Sequence, residues 1–306
     1  MRVALIGGTG FVGGYLTDAL LAAGHEPALL VRAGSESKVR HRDRVAITTG
    51  ELASPTALRD LISGCDAVIY NVGILREFPR KGITFEATQY DGVVRTVDAA
   101  IDSGVRRLLL MSANGVKCPG TAYQETKSRA EDYARASGLD VTVLRPSVIF
   151  GDPRGTMEFA TQLNNDMVRP PLPAVGFFSG WDRQKGVVVM SPVHIEDVSS
   201  AFVAALEDDS TIGQTISLGG PEAVTWQDMV KRIAAATGKR KIILPMPIEL
   251  MRLGATLLDW LPFFPVTRDQ LTMLEEGNVA DESALRALIG REPQAFTTES
   301  LAYLAP

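Results

Sequence analysis

Val3-Ala4-Leu5-Ile6-Gly7-Gly8-Thr9-Gly10-Phe11-Val12-Gly13 is the stretch on which the fold turns. Four apolar residues in a row read as a short buried strand. The glycines after them let the backbone turn tightly and approach an anion at the N-terminus of the next helix. They fit G-x-G-x-x-G counted from Gly8 and G-x-x-G-x-x-G counted from Gly7. Gly7, Thr9, Gly10, Phe11, Val12 and Gly13 are therefore candidate contacts of a dinucleotide pyrophosphate. A glycine-rich turn without a ligand is the competing reading. The strand before the loop and the helix after it favour the nucleotide.

Outward from this loop, a helix is expected from Phe11 to Ala23, ended by Gly24. Apolar runs predict strands at Val3–Ile6, Ala28–Val31, Val45–Ile47, Ala67–Asn71, Leu108–Ser112 and Val141–Leu144, with helices between them. That alternation predicts an α/β fold, a Rossmann-type doubly wound parallel sheet with a smaller C-terminal substrate lobe. Residues 1–150 are assigned to the dinucleotide-binding domain, to which later segments can return, and 151–306 to the smaller substrate-facing lobe. In that lobe Val193–Leu206, Trp226–Thr237 and Arg268–Glu275 read as helices.

The chain has 306 residues, 45% of them hydrophobic, enough for a sizeable core. Its 31 basic and 36 acidic residues give a net charge of −5, which argues against nucleic acid and for a small-molecule substrate. Two cysteines, Cys65 and Cys118, make neither a disulfide framework nor a zinc set. The first strand leaves neither room nor composition for a signal peptide, so a cytoplasmic location is expected. His25, His41 and His194 have no ligand spacing, and no metal is expected.

The second strand ends at Val31-Arg32, where an acidic residue would hold the ribose hydroxyls of NAD. A guanidinium there can stack on adenine and pair with a 2′-phosphate. Arg32 thus favours NADP(H), with NAD(H) as the second fit and a solvated surface arginine as the bland reading. The basic run from Lys38 to Arg44 reads as a solvated loop and is left out of the site. Glu51 and Leu52, after the third strand, and Asn71, Val72 and Gly73, after the fourth, lie at the sheet edge where ligands bind. Glu51 reads equally as a helix-start residue.

These residues, with Tyr123-Gln124-Glu125-Thr126-Lys127 and Arg145-Pro146-Ser147-Val148-Ile149-Phe150-Gly151, resemble the extended or atypical short-chain dehydrogenases, the NAD-dependent epimerase/dehydratase type, over essentially the whole chain. Asn71-Val72-Gly73-Ile74-Leu75, Pro192-Val193-His194-Ile195-Glu196-Asp197-Val198 and Leu218-Gly219-Gly220-Pro221-Glu222 are similar to the branch holding the nucleotide-binding accessory subunit of respiratory complex I and its bacterial relatives. The resemblance implies cofactor contacts at Pro146, Ser147 and Val148.

The resemblance also implies that Tyr123 and Lys127 do the proton chemistry. Four residues apart on a helix, they share a face. A nearby ammonium would lower the phenol pKa, and the lysine would also hold the nicotinamide ribose. The family's third member is a serine or threonine near the end of the fifth strand. Ser112 is available there, yet Ala113 and Asn114 occupy the positions where the hydroxyl usually falls, and an Asn114 amide could serve an oxyanion.

The apolar run Ile242–Val266 is broken by four prolines and three charges and cannot span a membrane. Within it lies the stretch Leu250–Val266. It reads as core packing, as the lining of a lipophilic pocket, or as a peripheral contact with a membrane or protein complex. Two functions follow from all this. One is an NADP-dependent oxidoreductase, with a sugar-nucleotide epimerase as its variant. The other is a non-catalytic nucleotide-binding scaffold or assembly factor.

Overall fold

A computed structural model describes residues 1–180, 186–252 and 268–305, grouped in two compact units. The first comprises 1–145, 196–216 and 287–290, the second 146–195, 217–286 and 291–306. Residues 196–216 and 287–290, well beyond Phe150 in the chain, thus group with the N-terminal part.

The first unit is built on β1 (Arg2–Ile6), β2 (Glu26–Val31), β3 (Ala46–Thr49), β4 (Ala67–Tyr70), β5 (Arg107–Met111) and β6 (Asp140–Pro146). The neighbouring pairs β1–β2, β2–β3, β1–β4, β4–β5 and β5–β6 are all parallel. Between them run α1 (Phe11–Ala22), α2 (Pro55–Ile62), α3 (Asp91–Asp102) and α4 (Ala122–Ala136). Ala4, Ile6, Val68, Tyr70, Leu108 and Leu110 face one side and pack on Leu58, Leu61, Val93, Val97, Ala130 and Ala134 of α2, α3 and α4. The alternate residues Val3, Leu5, Leu29, Val31, Ile69 and Leu109 are also fully buried, as strands covered on both faces require.

The second unit holds short strand pairs. β7 (Ile149–Phe150) runs parallel to β10 (Val193–His194), β9 (Val189–Met190) antiparallel to β12 (Val224–Thr225), and β8 (Ala174–Phe178) parallel to β13 (Ile243–Pro247). Its core gathers Phe150, Phe177, Trp226, Val230, Ile233 and Phe296 around α5 (Trp226–Ala236), and the indole N–H of Trp226 donates to the Val175 carbonyl at 2.9 Å.

β11 (Thr215–Leu218) completes a seven-stranded sheet of order β11-β6-β5-β4-β1-β2-β3. Only four residues long and half polar, β11 carries no strong strand signal in the sequence. The third strand lies at Ala46–Thr49 rather than Val45–Ile47, since the β-branched Thr48 and Thr49 extend it. The helix expected from Val193 begins at Ile195, because Val193 and His194 pair as a strand with Ile149 and Phe150.

Among the described residues no helix is long and apolar enough to cross a membrane, and no cluster of three metal-ligating side chains occurs. Of Leu250–Val266, only Leu250 to Arg252 fall within the described residues, and Leu250 is exposed.

Candidate dinucleotide site

Strand order reverses between β1 and β4, which opens a crevice at their carboxyl ends. Gly7 leaves β1 with φ of +95°, in the left-handed region, and a Cβ there would stand 2.7 Å from the Asn71 carbonyl oxygen at the end of β4. Asn71 in turn donates its N–H to the Ile6 carbonyl at 2.9 Å, so the two strand ends are laced together. Gly13 is tighter still: a Cβ would lie 2.1 Å from the Gly7 carbonyl oxygen. Only bare backbone fits at Gly7 and Gly13.

Gly10 caps α1 in extended conformation with no side-chain cap, and the first turn carries no acidic residue. The N–H groups and positive dipole end of α1 are therefore left for an outside anion. Thr9, Gly10, Phe11 and Val12 stay at least partly accessible around it. The cradle fits a pyrophosphate.

Because the strands are parallel, every strand-end candidate of the first unit falls on the same edge of the sheet. Arg32 follows β2, is exposed, and makes no ion pair or side-chain hydrogen bond among the described residues. Glu51 is exposed after β3. It does not start a helix, since Ser54 caps α2, its Oγ accepting from the Ala57 N–H at 3.2 Å. Leu52 turns inward onto the core under α3. Val72 packs against the same core, and its side chain reaches the backbone of Gly7.

α4 carries the catalytic candidates. It starts with a capping box in which Thr121 accepts from the Gln124 N–H and the Gln124 side chain accepts from the Thr121 N–H. Gln124 also donates to the Gly115 carbonyl at 2.9 Å, tying down the loop that holds partly buried Asn114. Tyr123 is partly buried, with Phe85 edge-on at 5.7 Å. Lys127 Nζ lies 5.7 Å from the Tyr123 ring centroid and donates to the Met111 carbonyl at 3.3 Å. It also stands beside Gly73, 3.8 Å from where a Cβ would be.

The electrostatics differ from the sequence expectation. Burial pushes the Tyr123 phenol up, against the lowering expected from the lysine, whose ammonium stands over the ring 5.7 Å from its centroid. Burial also pushes Lys127 down to about 8, partly offset by the Glu131 carboxylate.

Ser112 is buried, and its hydroxyl donates to Glu131 Oε1. Fully buried Glu131 also accepts from Arg145 at 2.8 and 2.6 Å and from Arg135 at 2.6 Å. Burial works against its charge, but Arg145, Ser112 and Arg135 together outweigh it and hold Glu131 below the usual carboxylate range. The one proton Ser112 could offer an oxyanion is committed to a carboxylate.

Three residues here escape sequence reading. Tyr70 and Gln89 line, with Ser112 and Lys127, a small void beneath the lysine. Gln89 sits on a π-helical turn, Glu86–Tyr90, that runs into α3. That turn is bound to α4 by Arg129, which pairs with Glu86 through two bonds of 2.9 Å and lies 3.9 Å above the Tyr90 ring. Glu131 alone had a legible signal, since it continues the four-residue spacing of Tyr123 and Lys127. In the second unit, Ser147 donates its N–H to the Leu218 carbonyl at 3.0 Å and its Oγ to that of Asn278 at 2.9 Å, between buried Pro146 and partly buried Val148.

A family described as NAD(P)H-binding matches residues 7–169. The chain belongs to that family. Among its relatives this NAD(P)H-binding protein is 26% identical to the ceramide reductase of Caulobacter vibrioides, over 84% of this chain and 77% of that protein. It is 24% identical to the mitochondrial NADH-ubiquinone oxidoreductase 40 kDa subunit of Neurospora crassa, over 98% of this chain and 78% of that protein. The resemblance to the complex I accessory subunits holds in that second match. A crystal structure of Thermus thermophilus UDP-glucose 4-epimerase with NAD shares the fold at a TM-score of 0.75, with 20% identity over 99% of this chain and 97% of that one.

Proposed function

We propose that this chain is an NADP-dependent oxidoreductase acting on the carbonyl or hydroxyl of a small or lipophilic substrate through Tyr123 and Lys127. The observation that carries this reading is the placement of Lys127 Nζ. It is fixed to the Met111 carbonyl at the carboxyl end of β5, beside Gly73 and against the Tyr123 ring. Such a cation, buried at the ligand edge of the sheet, has little structural reason to be there.

A bound nicotinamide would supply or accept the hydride. The loop Gly7–Gly13 would hold the pyrophosphate, Arg32 a 2′-phosphate, and Lys127 the nicotinamide ribose. Tyr123 would deliver a proton to the substrate oxygen on reduction and remove it on oxidation. Its raised pKa suits the donor role, because the phenol stays protonated across the neutral range. The ceramide reductase relative supports a lipophilic substrate.

The test is NADPH oxidation in the presence of long-chain ketones in detergent micelles. Tyr123→Phe is expected to lower turnover by about 100-fold or more while NADPH binding persists. Turnover unaffected by Tyr123→Phe would overturn the reading.

One observation favours a second reading, a redox-inert nucleotide-binding scaffold: the proton of Ser112 is already spent on Glu131. The complex I relative supports that reading as well. Nucleotide that copurifies, remains unreactive with every carbonyl probe, and travels with a large membrane complex would favour it.

A further inference from the structure

We propose that Glu131 is the positioning residue for the Tyr123–Lys127 pair, its carboxylate fixing α4 over the end of β5 and setting a negative charge one helical turn from the Lys127 ammonium. This rests on the oxidoreductase reading of that pair.

Two successive residues at the end of β5 grip two residues one turn apart on α4. Met111 receives the Lys127 ammonium at 3.3 Å, and Ser112 donates to Glu131. Arg145, from β6, places two further bonds on the same carboxylate, and Arg135, one turn further along α4, adds another while reaching Thr215 of β11 at 2.7 Å. One buried carboxylate thereby joins α4 to the ends of β5 and β6, and the Arg135 it holds joins α4 to β11. A rotation or slide of α4 that displaced Tyr123 and Lys127 would have to break this set together.

Among the described residues, the groups around Lys127 include one carboxylate that acts on its charge, that of Glu131 one helical turn away. On α4 these groups are Tyr123 and Glu131; from β5 come the Met111 carbonyl and Ser112, from β4 Tyr70, and from the π-helical turn Gln89. Tyr70 stays neutral, since burial raises its phenol far above the working range and its hydroxyl donates to the Thr88 carbonyl. Arg145 and Arg135 keep Glu131 ionised, and their charge would face Lys127 uncompensated if the carboxylate were removed.

The experiment follows the titration of Lys127 directly, by carbon NMR of the full chain with 13Cε-labelled lysine, the resonance being assigned by its loss in Lys127→Met. In Glu131→Gln the midpoint is expected to fall by about one pH unit or more, and in Glu131→Asp to return towards the wild-type value. Should Glu131→Gln fail to fold with two arginines left facing a neutral amide, Glu131→Gln/Arg145→Met removes much of the excess charge and is expected to show a fall in the same direction but smaller, since one uncompensated cation is gone with the carboxylate. A folded variant of either kind with the wild-type midpoint would overturn the proposal. The readout needs neither substrate nor turnover, so its failure is distinct from failure of the oxidoreductase reading.

Discussion

The hydroxyl of Ser112 donates to the carboxylate of Glu131, one helical turn beyond Lys127, and both side chains are buried. This bond makes Ser112 part of the frame behind the site. Ser112→Ala is expected to lower stability by about 1–3 kcal/mol, the cost of a lost bond to a buried charge. NADPH affinity should change by less than about threefold, since the pyrophosphate cradle lies on other strands. Chemical denaturation and fluorescence titration check both, and an unchanged unfolding midpoint would count against the frame.

Gly13 admits no side chain. Gly13→Ala would put a Cβ 2.1 Å from the Gly7 carbonyl oxygen, so loop or helix must shift. The variant is expected to lose dinucleotide binding by at least about 100-fold, or about 3 kcal/mol, through the distorted cradle. Isothermal titration calorimetry measures it.

Lys127 is retained at a cost to stability. Its folded pKa is lowered from 10.5 to about 8, so below pH 8 the folded chain carries a buried ammonium that the unfolded chain would rather hydrate. Between about 8 and 10.5 the unfolded state binds more protons, and stability rises with pH across that window. Lys127→Met is therefore expected to be more stable than wild type at pH 7, by on the order of 2 kcal/mol, and catalytically silent. The gain should shrink as pH approaches 10.5. Urea denaturation at pH 7 and pH 9.5 reads both the sign and the narrowing. A variant less stable than wild type at pH 7 would contradict the assignment.

How much of this was legible beforehand depends on the range of the interaction. The strand-loop-helix of residues 3–23 is local, and its apolar run and glycines lead directly to β1, the cradle and α1. Helical spacing likewise puts Tyr123 and Lys127 on one face of α4, while their chemical role is what the family resemblance implies. The direction of their pKa shifts does not follow from spacing, since burial comes from the packing of β4, β5 and the π-helical turn around Lys127 and of Phe85 against Tyr123. Ser112 illustrates the same boundary. Its place at the end of β5 follows from sequence, but the carboxylate that takes its proton stands 19 residues away, and Arg145 14 beyond that carboxylate. Seventh strand β11 was missed for a related reason, as its pairing partner β6 lies far upstream.

The proposed preference for NADP(H) rests on Arg32, and its most direct test is a pair of fluorescence titrations, NADPH and NADH, on the wild-type chain and on Arg32→Ala. The account predicts that the wild type binds NADPH at least about tenfold more tightly than NADH, and that Arg32→Ala removes this preference while leaving NADH affinity within about threefold. Binding of neither nucleotide, or a preference for NADPH that survives the loss of Arg32, would contradict it.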